Sequence, residues 1–227
     1  VLITPKDNSY TKNPFEQFSW QEATASGGIN HYTFYLDGLL NIGFLPTNTL
    51  SQETSLYSYS RSDDKAYLTL KDPLDEGSHT WYILAYPNSA DTLQSSTFTF
   101  TVDTTLPIII LERLEKHTMY WASNDPNTFP PFSDRQLIVN TNKPLLEGKV
   151  EANANLKIAF LCPTDAQDCS DISYTLSDPD GNWVHRVRGL KKSIPYTVYL
   201  IATDYASNTT YFPVFTVTYQ PKPLFPL

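Results

Sequence analysis

The feature that most constrains the fold is an internal repeat. When the sequence is compared with itself at an offset of 117 residues, Tyr82–Val102 aligns with Tyr199–Tyr219 without a gap, and six of 21 positions are identical. Both copies contain an alternating apolar segment, a polar turn and a second alternating segment, which is the pattern of a β-hairpin. The repeat therefore predicts two related domains, each closed by such a hairpin.

Other segments alternate with a period of two. His31–Gly38 would place Tyr32, Phe34 and Leu36 on one face, and Ser96–Asp103 behaves in the same way. Seventeen prolines argue against long helices, because each removes a backbone donor and fixes φ. The pattern predicts an all-β protein made of two antiparallel β-sandwich domains in tandem.

The domain boundary is predicted at the segment "DTTLP" (Asp103–Pro107), a short and stiff junction that follows the first hairpin. We expect one domain over 1–104, a second over 105–219 with a loop insertion at about 115–135, and a proline-rich linker over 220–227. The insertion is expected because His117–Asp134 contains three prolines and several turn-forming residues.

Charge and hydropathy limit the possible partners. The net charge is −8, with −7 in residues 1–105 (12 acids, 5 bases) and −1 in 106–227 (12 acids, 11 bases). Such a balance disfavours binding to nucleic acid, because phosphates are bound by lysine and arginine. It is compatible with the binding of cations. No apolar run is long enough to suggest membrane insertion, and the opening "VLITP" suggests a mature product or an excised fragment.

Several motifs resemble those of bacterial immunoglobulin-like domains. "DTTLP" is similar to the junction between such tandem domains, "DPDGNW" (Asp178–Trp183) to a turn before one of their strands, and "YLIATDYASNTT" (Tyr199–Thr210) to their closing hairpin. The first domain, with "FSWQEATASGGINHYTFYLDG", resembles fibronectin type III-like modules of prokaryotic surface proteins. Two positions depart from the pattern: Ser207 replaces the usual hairpin glycine, and Pro87 takes the place of Asp204 in the first copy.

The resemblance implies a location outside the cell or on its surface. Members of this family act as stalks, spacers and adhesive modules, and some bind calcium at domain junctions. We therefore expect a non-catalytic structural or adhesive module of a surface layer, fibre or adhesin, with neighbouring domains or subunits as partners. The alternative is a carbohydrate-binding or accessory region of a secreted polysaccharide-active enzyme, for which glycans would be the partners.

No catalytic constellation is visible in the sequence. The four histidines are scattered without metal-ligand spacing, and neither a Gly-x-Ser-x-Gly elbow nor a phosphate-binding loop occurs. Paired acids lie in polar, turn-like segments, where solvated carboxylates are the usual state. We expect that the protein is not an enzyme.

Calcium is the best cofactor candidate. Hard cations take several oxygen ligands from carboxylates on tight loops, and Asp103, Asp178, Asp180 and Asp204 could supply some of them. The same residues are explained without a metal by turns in which an aspartate side chain bonds its own backbone. Both interpretations stay open from the sequence.

Aromatic residues are the candidates for stacking on a sugar ring. Trp20, Trp81 and Trp183 lie in predicted strands and are expected in the cores. Tyr120 and Trp121 lie in the predicted loop and are the candidate glycan contacts, although such residues also serve to fix a loop to its own domain.

The two cysteines predict a local disulfide. Cys162 and Cys169 have six residues between them, which is not the spacing of a zinc or Cys-x-x-Cys site. A bond that closes the segment "CPTDAQDC" is plausible in an oxidising compartment. The alternative is a reduced pair in a cytosolic protein.

Overall fold

The computed structural model describes residues 1–89, 91–124, 136–163 and 170–222. These residues form strands connected by turns, and no helix occurs among them that could cross a membrane. The chain divides into two compact units, Val1–Thr104 and Thr105–Leu227. Each unit has two sheets around its own core, so the predicted all-β fold is confirmed.

Unit 1 is built from short, mostly antiparallel strands. In chain order they are β1 (Leu2–Thr4), β2 (Ser9–Thr11), β3 (Gln17–Gln21), β4 (Ile29–Leu36), β5 (Leu40–Pro46), β6 (Ser51–Glu53), β7 (Tyr57–Ser62), β8 (Lys65–Leu70), β9 (Gly77–Pro87), β10 (Leu93–Gln94) and β11 (Phe98–Val102).

The strands of unit 1 form two sheets that pack face to face. One sheet has the order β1-β3-β8-β7-β6, and the other has β2-β11-β9-β4-β5 with β10 paired to β9. Phe18 of the first sheet contacts Phe34 of the second with ring centroids 4.7 Å apart, and Trp81 at 5.2 Å. Tyr32, Phe34 and Leu36 are buried as the alternation predicted, because alternate side chains of a strand face the same side.

Unit 2 follows the same plan. Its strands are β12 (Ile110–Leu114), β13 (His117–Ala122), β14 (Gln136–Val139), β15 (Leu145–Lys149), β16 (Asn155–Leu161), β17 (Asp171–Leu176), β18 (Asn182–Arg186), β19 (Pro195–Thr203), β20 (Thr209–Tyr211) and β21 (Phe215–Tyr219). They form the sheets β13-β12-β15-β18 and β14-β21-β19-β16-β17, with β20 paired to β19.

A glycine allows close packing in the core of unit 2. A Cβ at Gly148 of β15 would lie 2.0 Å from the carbonyl oxygen of Ile110 and 2.8 Å from Cζ2 of Trp183. Only a residue without a side chain lets β12 and the buried indole approach the strand so closely. Trp183 is buried, as are Trp20 and Trp81 in unit 1, which confirms the expectation for these three tryptophans.

The internal repeat is preserved in the pairing of the strands. Trp81 pairs with Phe98 in unit 1, and Val198 pairs with Phe215 in unit 2, so the two paired positions differ between the units by the same 117 residues. The strands between them, β10 and β20, keep the same offset, since Leu93 pairs with Ala85 in unit 1 and Thr210 pairs with Ala202 in unit 2. The second sheets also share one order of equivalent strands. The duplicated segment is thus one three-stranded motif, β9-β10-β11 or β19-β20-β21.

One sequence-based expectation is wrong at the start of unit 2. The loop expected at about 115–135 begins with a strand, because His117–Ala122 forms β13 and pairs with β12 from Ala122↔Ile110 to His117↔Leu114. An extra residue in β13 relative to its partner strand interrupts the alternation of side chains, and Tyr120 takes a positive φ of 58° there. This β-bulge removes the period-two signal by which the strand could have been found. Residues 125–135 lie outside the described part of the chain.

Candidate functional site

Both units hold their last strand against an early strand of the same unit. In unit 1, β11 runs parallel to β2 from Phe100↔Ser9 to Val102↔Thr11. In unit 2, β21 runs parallel to β14 from Thr216↔Gln136 to Tyr219↔Val139. We call these two parallel pairs the terminal clamps. Each clamp joins strands far apart in sequence, so it closes the unit.

The clamp of unit 1 is supported by backbone and side-chain hydrogen bonds. The amide of Asn8 donates to the carbonyl of Thr99 at 2.6 Å, and the amide of Asp103 donates to the carbonyl of Thr11 at 2.9 Å. The Asp7 carboxylate accepts the amide of Thr99 at 2.8 Å. Asp103, a candidate calcium ligand, thus uses its backbone to end the clamp.

The clamp of unit 2 is extended at its far end. The amide of Gln220 donates to the carbonyl of Val139 at 2.9 Å, and the amide of Ser193 donates to the carbonyl of Tyr219 at 2.9 Å. Lys192 forms a parallel bridge with Tyr219. Tyr219 and Gln220 are therefore fixed to two separate segments of the same unit.

Parallel pairing determines how a clamp responds to tension. The chain enters a parallel pair at one end and leaves it at the other. A pull that reaches both strands along the chain therefore slides one past the other and strains all hydrogen bonds between them together. An antiparallel hairpin pulled at its open end loses its bonds one at a time. The clamp of unit 1, which only β1 precedes along the chain, is therefore suited to resisting extension, whereas in unit 2 tension from the N-terminal side reaches β12 and β13 before β14.

Asp178 and Asp180 lie in the turn that joins β17 to β18. The Asp178 carboxylate accepts the amides of Asn182 at 2.7 Å and Asp180 at 3.0 Å, as well as the Asn182 side chain. These hydrogen bonds from Asn182 and Asp180 lower the pKa of Asp178. Gly181 takes a positive φ of 78°, and a Cβ there would lie 2.2 Å from the carbonyl oxygen of Val150.

Asp204 is buried in the turn between β19 and β20. Its carboxylate accepts the amide of Asn208 at 2.8 Å and the Asn208 side-chain amide at 2.9 Å. Ser207, at the position usually occupied by glycine, takes the positive φ of 69° that the turn requires. Asp178 and Asp204 therefore make the side-chain turns that were the metal-free interpretation, and calcium binding stays a prediction.

The candidate glycan contacts do not form one exposed pair. Tyr120 is 63% exposed on β13, whereas Trp121 packs against the core and meets Phe215 edge to face at 5.8 Å. Trp121 lies in β13 and not in the predicted loop, and its packing against its own unit is the alternative that the sequence left open. Consecutive side chains of a strand face opposite sides, so Tyr120 points away from the core. Glycan contact by either residue stays a prediction.

The predicted disulfide cannot be placed. Cys162 follows β16 and packs partly against the core of unit 2, with its Sγ 3.6 Å from Oγ of Ser170. Cys169 lies outside the described residues. The bond between them stays a prediction.

The histidines occupy structural positions in two different units. His79 is buried, with Nδ1 2.8 Å from Oδ2 of Asp37 and Nε2 2.8 Å from the carbonyl oxygen of Asp75. His117 lies with Nε2 3.2 Å from the carbonyl oxygen of Ile138. Burial lowers the pKa of His185. Among the described residues, neither unit by itself gathers three His, Cys, Asp or Glu side chains at metal-binding distance.

An outward aromatic cluster on unit 1 escaped the sequence reasoning. Tyr35 stacks on Tyr82 at 4.7 Å, and His31 stacks on Tyr86 at 4.4 Å and on Phe44 at 4.8 Å. These are cross-strand neighbours of β4, β5 and β9 whose rings cover one another, so they stabilise the sheet. The signal was present, since the outward positions of β4 and β9 are aromatic where an exposed face would be polar.

Comparisons with known proteins give a likeness of fold. No protein-family model and no curated protein matches the chain. Solved structures that match include fibronectin(III)-like modules of CbhA from Clostridium thermocellum, with 11% identity, coverage of 98% of this chain and 93% of that chain, and a TM-score of 0.42. A chimeric titin Z1Z2 shares 14% identity over 98% and 97% of the two chains, with a TM-score of 0.33. The FN1–FN3 domains of chicken CNTN1 share 9% identity over 95% and 69%, with a TM-score of 0.35. The assignment of the fold rests on the strand order and the two cores.

Proposed function

We propose that this chain is a non-catalytic, tension-resisting segment of an extracellular or cell-surface protein, acting as a spacer or assembly unit in a surface layer, fibre or adhesin. The observation that supports this most is the terminal clamp, which occurs in both units and fixes the last strand of each.

The non-catalytic part of the proposal is supported by the polar groups themselves. The carboxylates of Asp178 and Asp204 hold turns, and both ring nitrogens of His79 meet hydrogen-bonding partners. Groups committed to structural hydrogen bonds are not free to transfer protons to a substrate.

Single-molecule extension of the whole chain tests the proposal. Pulled from its two ends, the chain should unfold in two separate events. Each should release on the order of 330–360 Å, the extended length of about 100 residues. Unit 1 should open at a much lower force when it is held instead by cysteines introduced at Glu76 and Thr104. These residues flank the end of the β9–β11 pair, where β11 would peel away. Equal forces in the two geometries would contradict the proposal.

The Asp7→Ala variant provides a finer test. It removes the carboxylate that accepts the amide of Thr99 beside the clamp, and it should lower the unfolding force of unit 1 while leaving that of unit 2 unchanged. Asp72→Ala, at an exposed position between β8 and β9, is the matched control.

A further inference from the structure

The outer strand β17 of unit 2 has one free edge. It pairs antiparallel with β16 in unbroken register from Leu176↔Asn155 to Asp171↔Phe160. Among the described residues, no strand pairs with its other side. An edge of this kind presents unpaired backbone donors and acceptors that can extend the sheet.

The side chains of this edge make the strand apolar on its outward face. Ile172, Tyr174 and Leu176 are 49%, 72% and 62% exposed. They face outward because the residues that alternate with them along β17 pair with inward-facing residues of β16 and turn toward the core. Three large apolar side chains in a row are exposed beside an open backbone edge.

Charge does not protect the edge. Asp171 is the only charged residue in β17, and its carboxylate accepts the amide of Arg188 at 2.9 Å, so it is bound within the unit. Lysine, proline and bulges are the usual devices by which natural sheets prevent edge pairing. β17 contains none of them.

The other outer strands of the described sheets differ in this respect. Some are short, since β1, β2 and β6 have three residues each. Others are irregular, since β5 contains a bulge and Pro46, and β13 contains a bulge. The last two carry a polar contact or a charge: the Ile138 carbonyl of β14 lies beside His117, and β18 carries Arg186. The contrast with β5 is the most direct, because β5 is the strand of unit 1 equivalent to β17.

We propose that β17 docks against β17 of a second copy of this chain, antiparallel about a two-fold axis, with Tyr174 opposite the same residue of the second copy. In this register Ile172 lies opposite Leu176 of the second copy, and Leu176 lies opposite Ile172 of the second copy. The strand is therefore complementary to itself, which a two-fold interface requires.

The charge of unit 2 does not oppose a second copy as the occupant. Residues 106–227 have a net charge of −1 (12 acids, 11 bases), so two copies of unit 2 approach without strong repulsion. The exposed row contains no charge that would need an opposite charge on a different partner. An apolar strand symmetric about Tyr174 matches itself in reverse.

The contact is small, and its strength follows from its size. A stable interface buries about 1,600 Å² in total, and a single strand pair buries less. The dimer should therefore be weak in dilute solution and become populated when many copies are held close together on one surface. Lateral contacts of this kind would add to the proposed spacer role, but their existence in solution does not depend on it.

Sedimentation equilibrium over a range of concentrations tests the proposal. The wild-type chain should show a reversible monomer–dimer equilibrium, and Tyr174→Lys should weaken it by about tenfold or more. Val184→Lys, at an apolar position on β18 that is 56% exposed against 72% for Tyr174, should leave the equilibrium unchanged. A wild type that stays monomeric at the highest concentration reached, or a dimer insensitive to Tyr174→Lys, would overturn the proposal.

Oxidative cross-linking tests the register. Opposed residues of antiparallel strands have Cα atoms about 4.5–5.5 Å apart, within the range that a disulfide spans. Tyr174→Cys should form a covalent dimer, and a mixture of Ile172→Cys and Leu176→Cys should do the same. Ile172→Cys alone, Val184→Cys and the wild type should remain uncross-linked. Efficient cross-linking of Ile172→Cys with itself would contradict the register and the proposal.

Discussion

The buried His79 of β9 and the exposed Asp37 of the turn after β4 form a clasp in unit 1, with His79 Nδ1 2.8 Å from Oδ2 of Asp37. The other ring nitrogen faces the carbonyl oxygen of Asp75 at 2.8 Å, so both nitrogens meet acceptors and the ring is suited to the doubly protonated form. The second oxygen of Asp37 accepts the amide of Thr80 at 2.7 Å. The clasp thus ties the turn after β4 to the start of β9.

The clasp predicts that unit 1 loses stability as the pH rises. Burial opposes protonation of His79, but the hydrogen bonds to Asp75 and Asp37 outweigh it and raise the pKa. Because the folded pKa exceeds the unfolded one, the contribution is complete below the unfolded pKa, about 6.5, and disappears as the pH passes the folded value. Hydrogen exchange of unit 1 should show this loss. His79→Gln should abolish it, while His117→Gln should not.

Unit 2 should respond to pH in the opposite direction. Burial lowers the pKa of His185, so the folded unit resists protonation at this position. Stability is then lost as the pH falls through the unfolded pKa of about 6.5. Protection factors in unit 2, which correct for the pH dependence of intrinsic exchange, should fall between neutral and mildly acidic pH, and His185→Phe should flatten that part of the profile. An unchanged profile would refute the assignment.

Gly148 should be intolerant of even the smallest side chain. The Cβ of Gly148→Ala would meet the carbonyl oxygen of Ile110 at 2.0 Å, so the strand or its neighbours must move. We expect a loss of about 3 kcal/mol in the unfolding free energy of unit 2, measured by denaturant titration. Gly189→Ala is the control, since nothing lies within 4 Å of its added Cβ, and it should change stability little.

The glycan alternative is best tested at Tyr120. Trp121→Ala would remove a ring packed on Phe215 and should destabilise unit 2 by about 3 kcal/mol whether or not a glycan binds. Tyr120→Ala should leave the unfolding free energy nearly unchanged because its ring is exposed. Under the spacer proposal, wild type and Tyr120→Ala behave alike in pull-downs on insoluble polysaccharide. Binding that Tyr120→Ala abolishes would favour the alternative.

Substitutions in the turn at Asp178 can distinguish calcium binding from the metal-free interpretation of this turn. Since hydrogen bonds lower the pKa of Asp178, its contribution is present above the unfolded pKa near 3.8 and lost as the pH falls below it. Asp178→Ala should lower the Tm of unit 2 equally with calcium and with a chelator. Asp180→Ala keeps the backbone contact of this residue and should leave the Tm of unit 2 unchanged. A calcium-dependent Tm that either variant removes would establish the metal site.

The fold class, the duplication and the burial of three tryptophans could all be predicted from the amino-acid pattern. Period-two alternation and the offset of 117 residues are local or pairwise properties, and hydrophobic burial converts them directly into strands with one inward face. The pairing of Trp81 with Phe98, and of Val198 with Phe215, shows that the repeat preserved register as well as composition.

The availability of the candidate residues for function depends on tertiary contacts. Trp121 packs against the core of unit 2, and the bonds to Asn208 hold Asp204 in a buried turn. The parallel clamps and the free edge of β17 likewise depend on which strands lie side by side. Backbone hydrogen bonds between distant segments carry no side-chain pattern of their own, so the sequence leaves open which edges are paired and which remain exposed.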